Sequence, residues 1–188
     1  AHKGHKVLAV DLDSQANLST TLGVTTERTL IPEWLIGDIQ VHDVISPCDG
    51  NGLGHLKNNL FLIPSSRHLA NLSKLLILSE AEVRKIAGRK EKLMSLRLKE
   101  IEDEFDFIII DTPPMLGDEL VMSLVASNRV LIPTQAQDYS IDDLEELMDT
   151  FEIIKATENP GLDFSIIPST VNLRRKIERQ RLDELSDN

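Results

Sequence analysis

Val7-Leu8-Ala9-Val10-Asp11-Leu12-Asp13-Ser14-Gln15-Ala16-Asn17 runs from an apolar stretch straight into a pair of carboxylates, and its reading decides the fold. An unbroken apolar run bounded by polar residues reads as a strand buried on both faces, because a strand with one wet face would alternate. The same punctuation returns where Phe107 to Ile110 gives way to Asp111-Thr112-Pro113-Pro114. Three more short apolar runs, Leu60 to Ile63, Val130 to Ile132 and Phe164 to Ile167, complete a set of buried strands.

Helical patterns lie between them. From Ser140 to about Thr157, apolar Ile141, Leu144, Leu147, Met148, Phe151 and Ile154 recur at three- and four-residue spacing, which gives a helix with one inward face. Ser140 and Asp143 have the N-cap and N3 arrangement that satisfies the first free N–H groups, and Asn159-Pro160-Gly161 stops the helix. Asp142, Asp143, Glu145, Glu146, Asp149 and Glu152 then form its water-facing side. Leu69 to Ile101 reads as one long or two successive helices, and Pro47 to Asn58, with Asp49-Gly50-Asn51-Gly52, as an irregular segment. No repeat, low-complexity tract or linker interrupts the chain. Strands alternating with helices predict an α/β fold, a doubly wound and mostly parallel sheet flanked by helices, in a single domain over 1–188.

Composition sets limits on function. The 188 residues are 41% apolar and 27% charged, ordinary for a globular domain, with a formal charge of −11 that repels polyanions over most of the surface. Nucleic-acid binding must therefore be local. The single Cys48 makes no internal disulfide, and no stretch approaches the roughly 20 apolar residues of a membrane-spanning helix. With no signal peptide, the expected address is the cytoplasm, without a membrane partner. The start at Ala1, so close to the first apolar run, leads us to expect an internal piece of a longer protein.

In a doubly wound sheet, ligands bind beyond the carboxyl ends of the strands, and two of those ends are acidic: Asp11 with Asp13, and Asp111. An Asp at a strand end is also a common N-cap of the next helix, so these residues alone leave both readings open. No His or Cys cluster accompanies them. Oxygen-only donors suit a hard cation such as Mg²⁺ bridging a carboxylate to nucleotide phosphates.

The segment Gly4 to Ser19 resembles that of ParA-type partition ATPases, whose usual form is Asp-x-Asp-Pro-Gln-(Gly or Ala)-Asn, with Ser14 here in place of Pro. Phe105 to Pro114 is similar to that family's Walker B and switch II region, and Val130 to Gln135 to its following strand. Leu60 to Ser66 and Asn159 to Leu162 also resemble family segments, so the likeness spans nearly the whole chain.

The resemblance implies an incomplete P-loop NTPase fold and ATP with Mg²⁺ as cofactors. By it, Asp111 would hold Mg²⁺ through a water, Asp13 would orient the attacking water, and Asp11 would support the metal and the phosphate loop. Gln15 and Asn17 would belong to switch I, while Thr112 and Asn172 would join the nucleotide contacts. It further implies a homodimer on ATP binding, a ParB-like centromere-binding partner, non-specific DNA and association with the nucleoid. Arg174, Arg175, Lys176 and Arg179 would touch DNA phosphates, although their spacing alone describes a solvated helix face.

The family opens with a strand and a Gly-rich, Lys-bearing loop that these residues do not include, and it continues beyond Asn188. Gly50-Asn51-Gly52-Leu53-Gly54 precedes a strand and so reads as a plain loop. With the first, central strand absent, the resemblance implies uncovered strand edges, marginal stability of the chain alone and no hydrolysis by it. Two other readings compete: a related ATP-using enzyme such as a cobyrinate-synthase-like protein, which Gln15 and Asn17 disfavour, and a binding scaffold that has lost nucleotide chemistry. Cys48, Trp34 and Tyr139 offer no recognisable chemistry.

Overall fold

The computed structural model describes residues 1, 3–48, 59–135 and 141–169. The chain divides into two compact units, Ala1–Ala126 and Ser127–Asn188.

The first unit is organised by β1 (Val7–Asp11), every residue of which is buried. It is buried because it is flanked on both edges. Strand β1 pairs in parallel with β3 (Leu60–Ile63) and with β4 (Phe107–Asp111), and Ser46–Pro47 forms a short antiparallel β2 on the outer edge of β3. The four-stranded order is β2-β3-β1-β4. The helices of this unit are α1 (Asn17–Thr21), α2 (Ile31–Ile36), α3 (Val41–Val44), α4 (Leu72–Leu78), α5 (Glu80–Ala87), α6 (Leu93–Lys99) and α7 (Asp118–Ala126).

Alternation along β1 sends Leu8 and Val10 to one face, where they join a core that includes Trp34, Ile63, Leu72, Leu93 and Met122. Val7 and Ala9 point to the other face and meet Cys48, Leu60 and Leu62 under Leu18, Leu22 and Val24. That second cover does not extend over β4. Phe107 and Ile109 are 54% and 56% exposed, and among the described residues β4 has no second neighbour in its sheet.

The region 69–101 is more broken than periodicity predicts. Residues 67–71 form a 3-10 turn, Ser79 at φ −102° and ψ 29° separates α4 from α5, and Gly88 at φ +73° ends α5. A second 3-10 turn, Lys90–Lys92, then leads into α6. Each short piece buries its own apolar residues, Leu72 and Leu76, then Val83, then Leu93, Met94 and Leu98, which one straight helix would not aim at a single core. Helices α1 to α3, between Asn17 and Val44, carry too few apolar repeats to be read from sequence.

The second unit pairs β5 (Arg129–Gln135) in parallel with β6 (Asp163–Ser169), joined by α8 (Ile141–Thr157). Phe151 and Ile154 are buried on one side of α8, whereas Glu146, Asp149 and Glu152 are exposed, as the periodicity predicts. At its end Glu158 and Asn159 both donate N–H to the carbonyl of Ile154, and Asn159 Nδ2 donates to Ser127 O at 2.7 Å. The Ser140 and Asp143 cap and the loop over 49–58 lie outside the described residues or side chains.

Gly37 closes α2 at φ +83°, and a Cβ there would collide with the guanidinium of Arg97. That guanidinium has no easy retreat, since Nε donates to Leu35 O at 3.2 Å and Nη1 pairs with Glu100 at 2.7 Å. Gly37→Ala is expected to destabilise the protein by about 1–3 kcal/mol, from the left-handed backbone and the displaced arginine together. Chemical denaturation measures it, and an unchanged midpoint contradicts it.

Candidate active site

The parallel register puts Asp11 directly opposite Asp111 at the carboxyl ends of neighbouring strands. Leu12 N–H donates to the carbonyl of Asp111 at 2.8 Å, so the two strand ends are tied one step beyond the last pair.

Asp11 is wholly buried. An ionised carboxylate without water needs donors, and the loop that follows supplies them. Oδ2 accepts from Ser19 N–H at 2.8 Å and from Ser19 Oγ at 2.6 Å, while Oδ1 accepts from Asp13 N–H at 3.1 Å. Ser19 Oγ in turn accepts from Ser65 N–H at 3.0 Å, which ties the segment after β3 to the same anchor. Asp11 therefore fixes the loop and the start of α1.

Asp13 sits at the mouth of that loop, half-buried, with Oδ1 accepting Gln15 N–H at 2.9 Å and its carbonyl accepting Ala16 N–H at 2.9 Å. The turn forces Ala16 to φ 53° and ψ 37°, the sole non-glycine residue with positive φ among the described residues. A glycine would take that conformation without steric strain, whereas Ala16 bears the strain of its Cβ. The side chains of Gln15 and Asn17 are exposed on the same turn.

Asp111 differs from both. Its side chain reaches solvent, and no described group donates to its carboxylate. Partial desolvation, then the charges of Asp11 and Asp13, raise its pKa above the ordinary 3.8. Two separate carboxylates acting on a third means that all of them share one electrostatic space. Thr112 follows at the strand end, half-buried, and the loop beyond is pinned by Lys90 Nζ, which pairs with Asp118 Oδ1 at 2.8 Å.

Sequence thus brings Asp11, Asp13, Gln15, Asn17, Asp111 and Thr112 to one edge. Asn172, Arg174, Arg175, Lys176, Arg179 and Tyr139 lie outside the described residues. Cys48 and Trp34 are buried in the two cores. Ser19 and Ser65 carry much of the geometry and were passed over by motif reading; the one available signal was a hydroxyl in the first helix after a buried acid.

Among the described residues no group of three His, Cys, Asp or Glu side chains forms a chelating cage. The donor set nevertheless fits a hydrated Mg²⁺, which takes one or two carboxylates and keeps its waters. Here the open carboxylate is the one whose charge is already penalised by its neighbours.

A family model described as an AAA domain matches residues 1–164. The chain belongs to that family, in its ParA/Soj-type branch. It is 29% identical to the chromosome-partitioning ATPase Soj of Treponema pallidum over 94% of this chain and 66% of that protein. Among solved structures it is similar to a plasmid partition protein of Borrelia burgdorferi, with 25% identity, TM-score 0.75, and coverage of 100% of this chain and 75% of that one. It is also similar to the cobyrinic acid a,c-diamide synthase of Mycobacterium smegmatis with bound ATP analogue and magnesium, with 25% identity, TM-score 0.83, and coverage of 99% and 69%. The fold of this AAA-domain chain is accordingly of the P-loop NTPase type, a mainly parallel sheet flanked by helices. Among the described residues no helix is long and apolar enough to cross a membrane.

Because the folded pKa of Asp111 lies above its unfolded value, the folded state holds its proton more tightly, and stability falls as pH rises through the folded pKa. Asp111→Asn should therefore raise the melting midpoint at pH 7, on the order of 1–2 °C, with the gain shrinking as pH drops below the ordinary carboxylate range. Thermal melts across pH decide it; a lower midpoint at pH 7 contradicts the repulsion.

Proposed function

We propose that the intact protein is an ATP-dependent switch, a slow ATPase whose nucleotide-driven dimer serves plasmid or chromosome partitioning. The observation that carries this is the register of Asp11 against Asp111, with Asp13 on the adjoining turn, at the carboxyl edge of a parallel sheet. Support for the process comes from the names of the relatives and for the cofactors from the bound ATP analogue and magnesium of the Mycobacterium smegmatis structure.

Phosphoryl transfer to water needs an aligned nucleophile and neutralised phosphate charge, with little covalent work by the protein. Bound Mg²⁺ would neutralise charge on the phosphates. Asp111, open and repelled by its neighbours, would hold it through a water. Asp13, half-buried at the loop mouth, would orient the attacking water by accepting its proton in a hydrogen bond, and Asp11 would keep that loop in shape. Gln15 and Asn17, exposed on the turn, would report the state of the phosphate to a second subunit, and Thr112 and Asn172 would join the nucleotide contacts. By the resemblance, lysines of a Gly-rich loop would neutralise phosphate charge, so turnover is proposed of the intact protein.

Asp13→Ala in the intact protein should lower kcat by about 100-fold or more while nucleotide affinity stays within a few fold. Single-turnover hydrolysis and nucleotide titration separate the two, and unchanged turnover removes Asp13 from the mechanism.

The partners follow the same reading: a ParB-like protein, non-specific DNA through Arg174, Arg175, Lys176 and Arg179, and a cytoplasmic, nucleoid-associated setting. With four phosphate contacts, the logarithm of DNA affinity should fall against the logarithm of salt with a slope of about −3 to −4 per subunit. Salt-insensitive binding of the ATP-bound dimer, or none, excludes that surface.

A second reading, ATP-dependent amide formation, is favoured by the likeness to the Mycobacterium smegmatis synthase. Gln15 and Asn17 speak for the partition switch. Phosphate release that is independent of any amide-accepting substrate distinguishes the two.

A further inference from the structure

Next to the acidic loop, the carboxyl edge of the sheet carries a cleft of about 420 Å³ between residues 15–27 and the segment 65–68 that follows β3. Ser65 lines it. This residue is 1% exposed, and its Oγ is buried with no hydrogen-bond partner among the described residues. A buried hydroxyl left unsatisfied is costly, so a group that accepts from it is favoured. Two residues on, Arg67 is exposed at the cleft and makes no ion pair or hydrogen bond among the described residues, although the chain carries a net charge of −11. The imidazole of His68 joins it. Glu27 is the single carboxylate among the lining residues, and it does not pair with Arg67.

We propose that this cleft is a phosphate-type oxyanion subsite, separate from the three carboxylates. Ser65 Oγ donates from the floor, and the guanidinium of Arg67 supplies charge from the rim, with His68 beside it. An oxyanion supplies what both lack: several acceptor lone pairs for a buried O–H and a negative charge for an unpaired cation. A neutral hydroxyl or amide ligand would satisfy Ser65 and leave Arg67 unpaired. The subsite is wired to the acidic loop, because Ser65 N–H donates to Ser19 Oγ, which donates to Asp11. An anion seated against Ser65 thereby bears on the anchor of the loop that carries Asp13. The cleft itself stands on its own geometry, and only this link to turnover rests on the ATPase reading.

The test is an amide NMR titration of the intact protein with inorganic phosphate against sodium chloride of equal ionic strength. Saturable shifts are expected at Ser65, Arg67 and Ser19, with affinity reduced about tenfold or more in Arg67→Ala and in Ser65→Ala. Arg67 is an exposed residue with no partner among the described residues, so its replacement keeps the test valid if Ser65→Ala fails to fold. The titration is run without Mg²⁺ or nucleotide, which keeps this result independent of any failure of the ATPase reading. Equivalent shifts with ADP identify a nucleotide phosphate as the source; their absence identifies free phosphate. No saturable shift, shifts matched by chloride, or affinity unchanged in Arg67→Ala overturns the proposal.

Discussion

One buried carboxylate organises the site. Asp11 has no access to water, and a charge taken out of water without compensation costs several kcal/mol or more. Everything around it reads as compensation: the loop doubles back so that Asp13 N–H meets Oδ1, and α1 starts where Ser19 can present both N–H and Oγ to Oδ2. The strained Ala16 is a consequence, since a turn tight enough to return three donors to Asp11 leaves one residue in the left-handed region. Loop shape is thus set by solvating a charge, and the apolar strand behind it merely holds that charge in place.

The same constraint divides labour among the three acids. Asp11 spends its lone pairs on protein donors and is spoken for, whereas Asp111, in register with it, has no donor among the described residues and feels the repulsion of both neighbours. A cation entering here meets one carboxylate with free lone pairs and a background of fixed negative charge. That arrangement attracts a hydrated ion without stripping it, which is the mode that suits Mg²⁺ and leaves coordination positions for phosphate oxygens.

Much of this was legible in the sequence, for identifiable reasons. Val7 to Val10 and Leu60 to Ile63 lack alternation because both faces are covered, and their burial follows directly. The acidic strand ends were visible as punctuation, and register then made neighbours of Asp11 and Asp111, residues 100 positions apart. What stayed hidden depends on tertiary contact. The breaks at Ser79 and Gly88 let three short pieces reach one core, and the short helices from Asn17 to Val44 have lengths below what periodicity can register. Ser19 and Ser65 resemble any surface serine until the chain folds; only burial of Asp11 gives one of them a task.

The hydroxyl chain also explains why the end of β3 matters to chemistry that it does not touch. Ser65 holds Ser19 through its backbone N–H, so its side chain remains free while its position is fixed by the same bond that steadies Asp11. A change at Ser65 can therefore reach Asp13 by three short steps, each a bond of 3.1 Å or less and each buried or half-buried, where a weak local dielectric keeps such bonds strong. Coupling across a sheet edge needs no long lever when neighbouring strands end in step. It needs a shared anchor, and in this fold the anchor is a single aspartate.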